Sequence, residues 1–541
     1  MQRIQFAPGE QTSPSVLDGG PAPAQEVATL AEVLPRAAVL NRDRAIRLID
    51  AAGVEDRLSY AELLDEASRV LAGLRRAGVR PTDRVVLHIQ RHRDLLAAFW
   101  GCVLGGFVPV PTPAGGGAPA EVIAPLWHAL GQSWVLVDDA AATMPLDGIA
   151  RSAWLGDVAT LSAGEADHDW FDSAPNDVAL LTMTAGSSGA RKAVALSNTN
   201  IVSRSAATIA ANDLSGESIS VSWMPLDHVG GLVMFHIRDV YLACTQVHAQ
   251  KSYVLGDPLR WLDLIERYRA DTTWGTNSTF DLLANRVDAA GDRSWDLSSL
   301  HYIMNGGEAV KARTIRRFLT TLAPFGLAGD AMRPGWGMSE TAAGVVDHRV
   351  NLATLRDDDR FTPVGTPHPG IRVRVVDDEG VVVPQGTLGT LQIAGASVTA
   401  GYAGDEARTA AAFTSDGWLD TGDLGYVNED LLTVTGSADD ALWIDGRFLH
   451  GHEIETTLTE LSFVDKTALA VCLVDGTDLA VFHHTDDGVD PTDAATRIRE
   501  LVLSRHGLVV HHVLPMTRDE FPRTGTGKPQ RARLRNLVRT K

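Results

Sequence analysis

The chain has 541 residues, 45% hydrophobic and 21% charged, enough for a large domain and at least one more. A net charge of −20 excludes nucleic acid as the main partner, because phosphate binding needs concentrated Lys and Arg. Cys102, Cys244 and Cys472 form neither a CxxC pair nor a zinc spacing, which points to a reducing compartment and buried structural thiols.

Residues 1–26 lack the apolar stretch of a signal peptide and are rich in Pro, Gly and Ser, so a disordered lead-in is expected. "TLAEVLPRAAVL" has helical spacing, and "AIRLIDAAG" alternates like a strand. "SYAELLDEASRVLAGLRRAGV" is an amphipathic helix, with Ser59 as N-cap and Gly78 as C-cap. "DRVVLHI" is a strand, "DLLAAFWGCVLGG" a buried helix and "VPVPT" a short strand, followed by a loop over 115–121. "SWVLVDD", "DVALLTMTAG", "SISVSWMPL", "DTTWGTNSTFDLLANR" and "LHYIMNGGEAV" continue an alternation that marks parallel α/β units.

After about Phe361 the texture changes. "IRVRVVDDEGVVVPQGTLGTLQIAG" reads as antiparallel strands, with "DDEG" as a hairpin turn. Small, polar and acidic residues at 436–440 then separate a compact mixed segment. The expected fold is α/β. A large N-terminal domain, 27–436, has mixed sheets and helices plus a β-rich subdomain, and a small mobile α+β domain follows over 437–541. No apolar run reaches the ~18 residues of a membrane span, so a cytoplasmic protein with no membrane partner is expected.

Five separated stretches carry chemistry. "TMTAGSSGARKA" has the materials of a phosphate cradle but is not a P-loop, since Lys192 stands three places after Gly189 and Ala193 follows it. Its glycines let the backbone approach phosphate, while hydroxyls and amides donate to it. The others are "WMPLDHVGG", the pair "NGGEAV" and "GWGMSET", "GWLDTGDLGYV", and "FPRTGTGKPQRARLR". Each has a plainer reading alone: a Gly/Ser turn, a satisfied core histidine, a surface Ser-Glu, a hairpin, a solvated basic tail.

In order, over about 350 residues, these stretches resemble the adenylate-forming enzymes: acyl-CoA synthetases, luciferases and the adenylation domains of peptide and polyketide assembly lines. The resemblance runs from about Leu30 to Arg535. It implies ATP and Mg²⁺ as cofactors, and acyl-AMP formation followed by transfer to a thiol. Thr184, Gly186, Ser187, Ser188, Gly189 and Lys192 would hold ATP phosphates. Gly306, Gly307 and Glu308 would line the adenine, with Trp336 and Gly337 as its wall. Ser339 would meet the α-phosphate, and Glu340 would be the catalytic Mg²⁺ ligand. Asp423 would take the ribose hydroxyls, and Lys528 would be the catalytic cation. His228, Gly230, Gly231 and Asn305 would line the acid pocket, with His228 also catalytic. Asp439 would be the hinge on which the small domain turns between half-reactions.

Besides Trp336, which stands where the family usually has Tyr, the sequence departs from the family pattern at four places. Arg191 and Ala193 replace Pro and Gly, Ser437 replaces the hinge Arg, and Trp443 stands where a nearby Lys is usual. Positive charge at the hinge is therefore missing. The stretches around His228 and Glu308 look most like loading adenylation domains. An acyl-CoA synthetase, a fatty acyl-AMP ligase, or a nucleotide-binding regulator without catalysis are the alternatives. The thiol acceptor would be CoA or an acyl carrier protein; with no D-S-L attachment motif present, a carrier would be supplied in trans. Amino-acid-selecting members place an Asp near the position of Gly230. Glycine there, with Asp227 and Asp239 out of register, implies an acid without an α-amino group, and Gly230 and Gly231 are expected to leave room for it.

Overall fold

The structure is a computed structural model, and it describes residues 13–114, 119–131, 133–138, 149–185, 191–356, 360–444, 446–485, 489–523 and 529–539. The chain forms two compact units. One comprises Met1–Met183, Ala193–Thr421 and Gly425–Val434; the other comprises Thr184–Lys192, Gly422–Leu424 and Thr435–Lys541.

Local signals account for many elements. The helix Tyr60–Ala77 begins at Ser59, whose hydroxyl accepts from the Glu62 amide while Glu62 accepts from the Ser59 amide. It ends at Gly78, left-handed at φ 97°. Leu63, Ala67, Val70, Leu71 and Leu74 form its buried stripe. The sequence predicts a loop over 115–121, but a helix spans Pro119–Ala129; proline suits a first helical turn, where its missing N–H is not needed.

The larger unit is built on a nine-stranded sheet. Its interior is parallel, as the alternation predicts, and antiparallel pairs close both edges. The strand Ile219–Ser222 pairs with Thr245–Ala249 on one side and Thr272–Gly275 on the other. The chain thus runs outward from Ile219–Ser222 in one direction and returns to its opposite side. A reversal of this kind opens a crevice at the carboxyl ends of the strands, the usual ligand position in open α/β sheets. A four-stranded parallel sheet, ordered Val108–Pro111, Arg84–His88, Trp134–Val137 and Trp154–Asp157, forms a further layer of this unit.

The β-rich segment forms a five-stranded sheet that includes Ile371–Val376, Gly389–Gly395 and Leu419–Asn428. Its edge strand corrects one expectation. Val16–Asp18, within the anticipated disordered lead-in, pairs antiparallel with Arg372, Val373 and Arg374. Leu17 is buried there, so a long-range ladder orders a segment whose composition suggests disorder.

The smaller unit contains a three-stranded sheet of Val464–Val474, Asp478–Thr485 and His512–Pro515, with the helices Gly451–Leu458, Pro491–His506 and Arg531–Arg539. The fold is mixed α/β, as expected. All three cysteines are buried and free. Among the described residues no helix is long and apolar enough to cross a membrane.

Candidate active site

The crevice after Ile219–Ser222 holds the His228 turn. His228 caps a short helix: its Nδ1 accepts from the Gly230 amide at 3.1 Å, which leaves the neutral imidazole with its proton on Nε2. A π-helical turn, Leu232–Ile237, follows and is fully buried.

The expectation that Gly230 and Gly231 leave open room is not met. A Cβ on Gly230 would stand 2.1 Å from Cζ3 of Trp274, so the indole fills the space that glycine provides. A Cβ on Gly231 would stand 2.2 Å from the Pro225 carbonyl, so that glycine serves backbone packing. Trp274 itself lies near the end of the strand Thr272–Gly275, on the other side of the crevice. Sequence reasoning missed it as a site residue, since nothing in "DTTWGTN" marks a tryptophan aimed at a glycine 44 residues away.

Asp239 is already paired with a cation of the chain itself. It is fully buried, and Arg238 donates to its Oδ1 at 2.8 and 2.6 Å while Ser220 donates to Oδ2. Burial pushes the Asp227 carboxyl up from its ordinary range.

Asn305 lies at the end of Tyr302–Asn305 and is completely buried, with its amide 3.6 Å from Met332 Sδ. Trp274 is in register with Met304, so Asn305 projects from the opposite face of the sheet, away from Trp274. The two residues after it must be glycine for reasons of backbone and packing. Gly307 is left-handed at φ 83°, and Gly306 faces the Gly335 carbonyl at a distance that excludes a side chain. Glu308 has a structural role: its carboxylate accepts from the Ser278 amide in the first turn of Asn277–Asp288.

Trp336 and Gly337 sit on Met332–Met338, where the pairing with Ala343–Asp347 is bulged. Trp336 is buried in the apolar cluster of Val345, Val346 and Val373. The bulge leads into the turn Ser339–Thr341, after which Ala342 and Ala343 adopt φ 56° and 126°. Such backbone costs about 1–3 kcal/mol per residue and persists only where its surroundings impose it. Here the Thr341 hydroxyl lies 2.6 Å from the Ala343 carbonyl and fixes the turn. Glu340, 3% exposed, is thereby held inward, and its Oε1 accepts from the Tyr402 hydroxyl at 2.9 Å. Burial and the neighbouring carboxylate both push the Tyr402 phenol up, so it remains a donor. The Thr399 amide donates to the Glu340 carbonyl at 2.8 Å. Tyr402 is a second residue that the motifs did not reveal.

Thr184 lies near the end of Val178–Ala185, and Lys192 near the start of Arg191–Ser197, two strands that pair in their own sheet. Gly186, Ser187, Ser188 and Gly189 lie outside the described residues, as does Lys528. Asp423 is on Leu419–Asn428, directly after Gly422, which is left-handed at φ 71°.

The segment around Asp439, expected to act as a hinge, is not bare of positive charge. Asp439 lies in the turn Ala438–Asp440, and its carbonyl accepts from Arg535 at 2.7 Å. Arg531 donates to Asp440 at 3.0 Å, to Glu455 at 2.6 Å and to the Val471 carbonyl at 3.1 Å. The basic residues read as a solvated tail instead form the helix Arg531–Arg539, which returns cations to the turn where Ser437 and Trp443 bring none. Glu455 and Asp440 in turn hold the Arg531 guanidinium in its charged form, against the desolvation of a buried site.

Among the described residues, no group of three His, Cys, Asp or Glu side chains is arranged to hold a metal alone.

The family model described as AMP-binding enzyme matches residues 35–403. Aspulvinone E synthetase melA of Aspergillus terreus is 32% identical over 93% of this chain and 57% of its own. The chain therefore spans little more than half of that relative. A solved structure of McyG A-PCP complexed with phenylalanyl-adenylate superposes with a TM-score of 0.91 at 31% identity, covering 97% of this chain and 85% of that one. A multidomain structure of a keto acid-selecting NRPS module gives 0.89 at 32% identity, covering 99% of this chain and 47% of that one. The family match covers well over half of the residues, and the chain belongs to the AMP-binding enzymes: it is an adenylate-forming enzyme.

Proposed function

We propose that the chain activates a carboxylic acid lacking an α-amino group. A carboxylate oxygen attacks the α-phosphorus of ATP, the bond to the bridging oxygen of the β-phosphate breaks, and pyrophosphate leaves. In a second step a phosphopantetheine thiolate, of a carrier protein or CoA, attacks the acyl carbon and AMP departs. The observation that carries the choice of acid is the crevice wall: an indole faces Gly230, and Asp239 is consumed by Arg238 and Ser220. An ammonium brought there would be buried without a counter-charge, which is strongly unfavourable. The keto acid-selecting module supports the same reading by likeness.

Thr184, Lys192 and the glycine-rich residues between them hold the phosphates, and Asp423 accepts the ribose hydroxyls. Glu340 fits Mg²⁺, which is commonly bound by one or two carboxylates together with nucleotide phosphates. Tyr402 donates to Oε1 of that carboxylate and orients it, and the carboxylate would hold the ion through its remaining lone pairs. Bound Mg²⁺ would neutralise phosphate charge during the attack. Lys528 places a cation on the attacking and bridging oxygens, and Asp439 is the hinge that presents it.

Lys528→Ala tests the assignment. Adenylation, read as pyrophosphate release, should fall about 10²–10³-fold, while thiol transfer from chemically supplied acyl-AMP should persist. Wild-type adenylation by this variant would remove Lys528 from the chemistry.

A further inference from the structure

We propose that the loop 396–403 couples the strand Arg191–Ser197, which carries Lys192, to Glu340, with Thr399 as the positioning residue, so that nucleotide phosphate and Mg²⁺ are gripped as one unit. The inference rests on the reading above of Lys192 and Glu340, and names what holds the two in register.

The loop is bonded to both sides. On the strand side, the Ala403 amide donates to the Ala193 carbonyl at 2.8 Å, and the Ala195 amide donates to the Gly401 carbonyl at 3.1 Å. Val194 and Tyr402 form the antiparallel bridge between these bonds. Asn200, in the first turn of the helix that follows the strand, donates from its side-chain amide to the Ala396 and Val398 carbonyls, both at 2.8 Å. On the other side, the Thr399 amide donates to the Glu340 carbonyl at 2.8 Å, and the Tyr402 hydroxyl donates to Oε1 at 2.9 Å. The loop therefore fixes the backbone of Glu340 as well as its carboxylate.

Thr399 is where the two sides meet. It is 2% exposed. Its amide serves Glu340, while its hydroxyl donates to the Ala195 carbonyl, 204 residues earlier in the chain. A hydroxyl has one hydrogen to give. A threonine that only shaped its own turn would give it to the Gly401 carbonyl, which stands 3.0 Å away. The Gly401 amide instead donates to the Thr399 oxygen at 3.1 Å, which holds the hydroxyl in place. A shift of the strand thus reaches Glu340 through a single buried residue, in a packed interior that transmits strain. Two sites joined in this way raise each other's affinity, so Mg²⁺ should strengthen nucleotide binding partly through Thr399.

The test titrates the full chain with α,β-methylene-ATP, which cannot release pyrophosphate, by isothermal titration calorimetry in Mg²⁺ and in EDTA. Calorimetry separates affinity from folding, because misfolded protein lowers the stoichiometry and not the Kd. Thr399→Val keeps the amide bond to Glu340 and removes the tie to Ala195. It should bind the analogue about 3- to 30-fold more weakly in Mg²⁺, and less than about threefold more weakly in EDTA. Thr399→Ser keeps the hydroxyl and should bind like wild type. Equal weakening with and without Mg²⁺, an unchanged Kd in Mg²⁺, or no rescue by serine overturns the proposal. Glu340→Gln tests the reading beneath it, since the gain in affinity from Mg²⁺ should disappear. A gain retained by that variant, or absent from wild type, would instead overturn Glu340 as the Mg²⁺ ligand.

Discussion

Replacing Arg531 with Met should destabilise the smaller unit by about 3–5 kcal/mol. The guanidinium side chain is 11% exposed, and its partners Glu455 and Asp440 are 15% and 30% exposed. Methionine preserves much of the apolar stem but strands Glu455 without a cation, while Asp440 keeps only Arg535, at 3.9 Å. Removing one partner of a buried ion pair typically has a cost of this size, because the remaining charge is left uncompensated. The half-buried Asp440 contributes the smaller share, as solvent screens it. Urea unfolding followed by circular dichroism gives the difference. A triple variant, Arg531→Met with Glu455→Gln and Asp440→Asn, separates charge from packing. The Glu455→Gln change keeps a side-chain oxygen for the Val471 amide, which donates to Glu455 at 2.7 Å. The triple variant should recover most of the loss. An unchanged midpoint for the single variant, or a triple variant as unstable as the single, would refute the ion-pair account.

Tyr402→Phe removes the donor to Glu340 while keeping the ring, and a hydrogen bond to a charged group is worth about 1.5–3 kcal/mol. Adenylation efficiency should fall about ten- to a hundredfold, measured by pyrophosphate exchange, with a raised Mg²⁺ requirement as its signature. Acid should destabilise the larger unit through His236. This imidazole is completely buried, its Nε2 accepts from Trp100 at 2.8 Å, and burial pushes it down to about 4. The unfolded chain binds the proton below about pH 6.5 while the folded chain does not, so stability falls as pH drops from 6.5 towards 4. His236 alone should contribute about 2 kcal/mol of loss between pH 6.5 and 5, checked by urea midpoints at the two pH values; His236→Gln should remove that share and leave the part due to His92 and His248, whose imidazoles burial also pushes down.

Local signals made much of the fold legible. Ser59, Glu62 and Gly78 bound a helix by their own chemistry, and alternation in "DRVVLHI" and "SISVSW" marks strands that the sheets contain. Motif order singles out Glu340 where one carboxylate alone would not, and the structure holds that residue buried against Tyr402. What was illegible depends on distance along the chain. Val16–Asp18 becomes a strand only because Arg372–Arg374 is there to pair with it, more than 350 residues later. Tyr402 reaches Glu340 from 62 residues away, and Arg531 reaches Asp440 from 91. Gly230 reads as open space in one dimension and is occupied in three, because the ring that needs it comes from another strand. The apparent lack of charge at Ser437 and Trp443 has the same origin, since helix Arg531–Arg539 supplies the cations.

The most direct measurement is mass-spectrometric detection of acyl-AMP after incubating the chain with ATP, Mg²⁺ and a panel of acids. The account predicts acyl-AMP with acids that lack an α-amino group, and little or none with α-amino acids. Acyl-AMP formed chiefly from an α-amino acid, or from no acid at all, would contradict it.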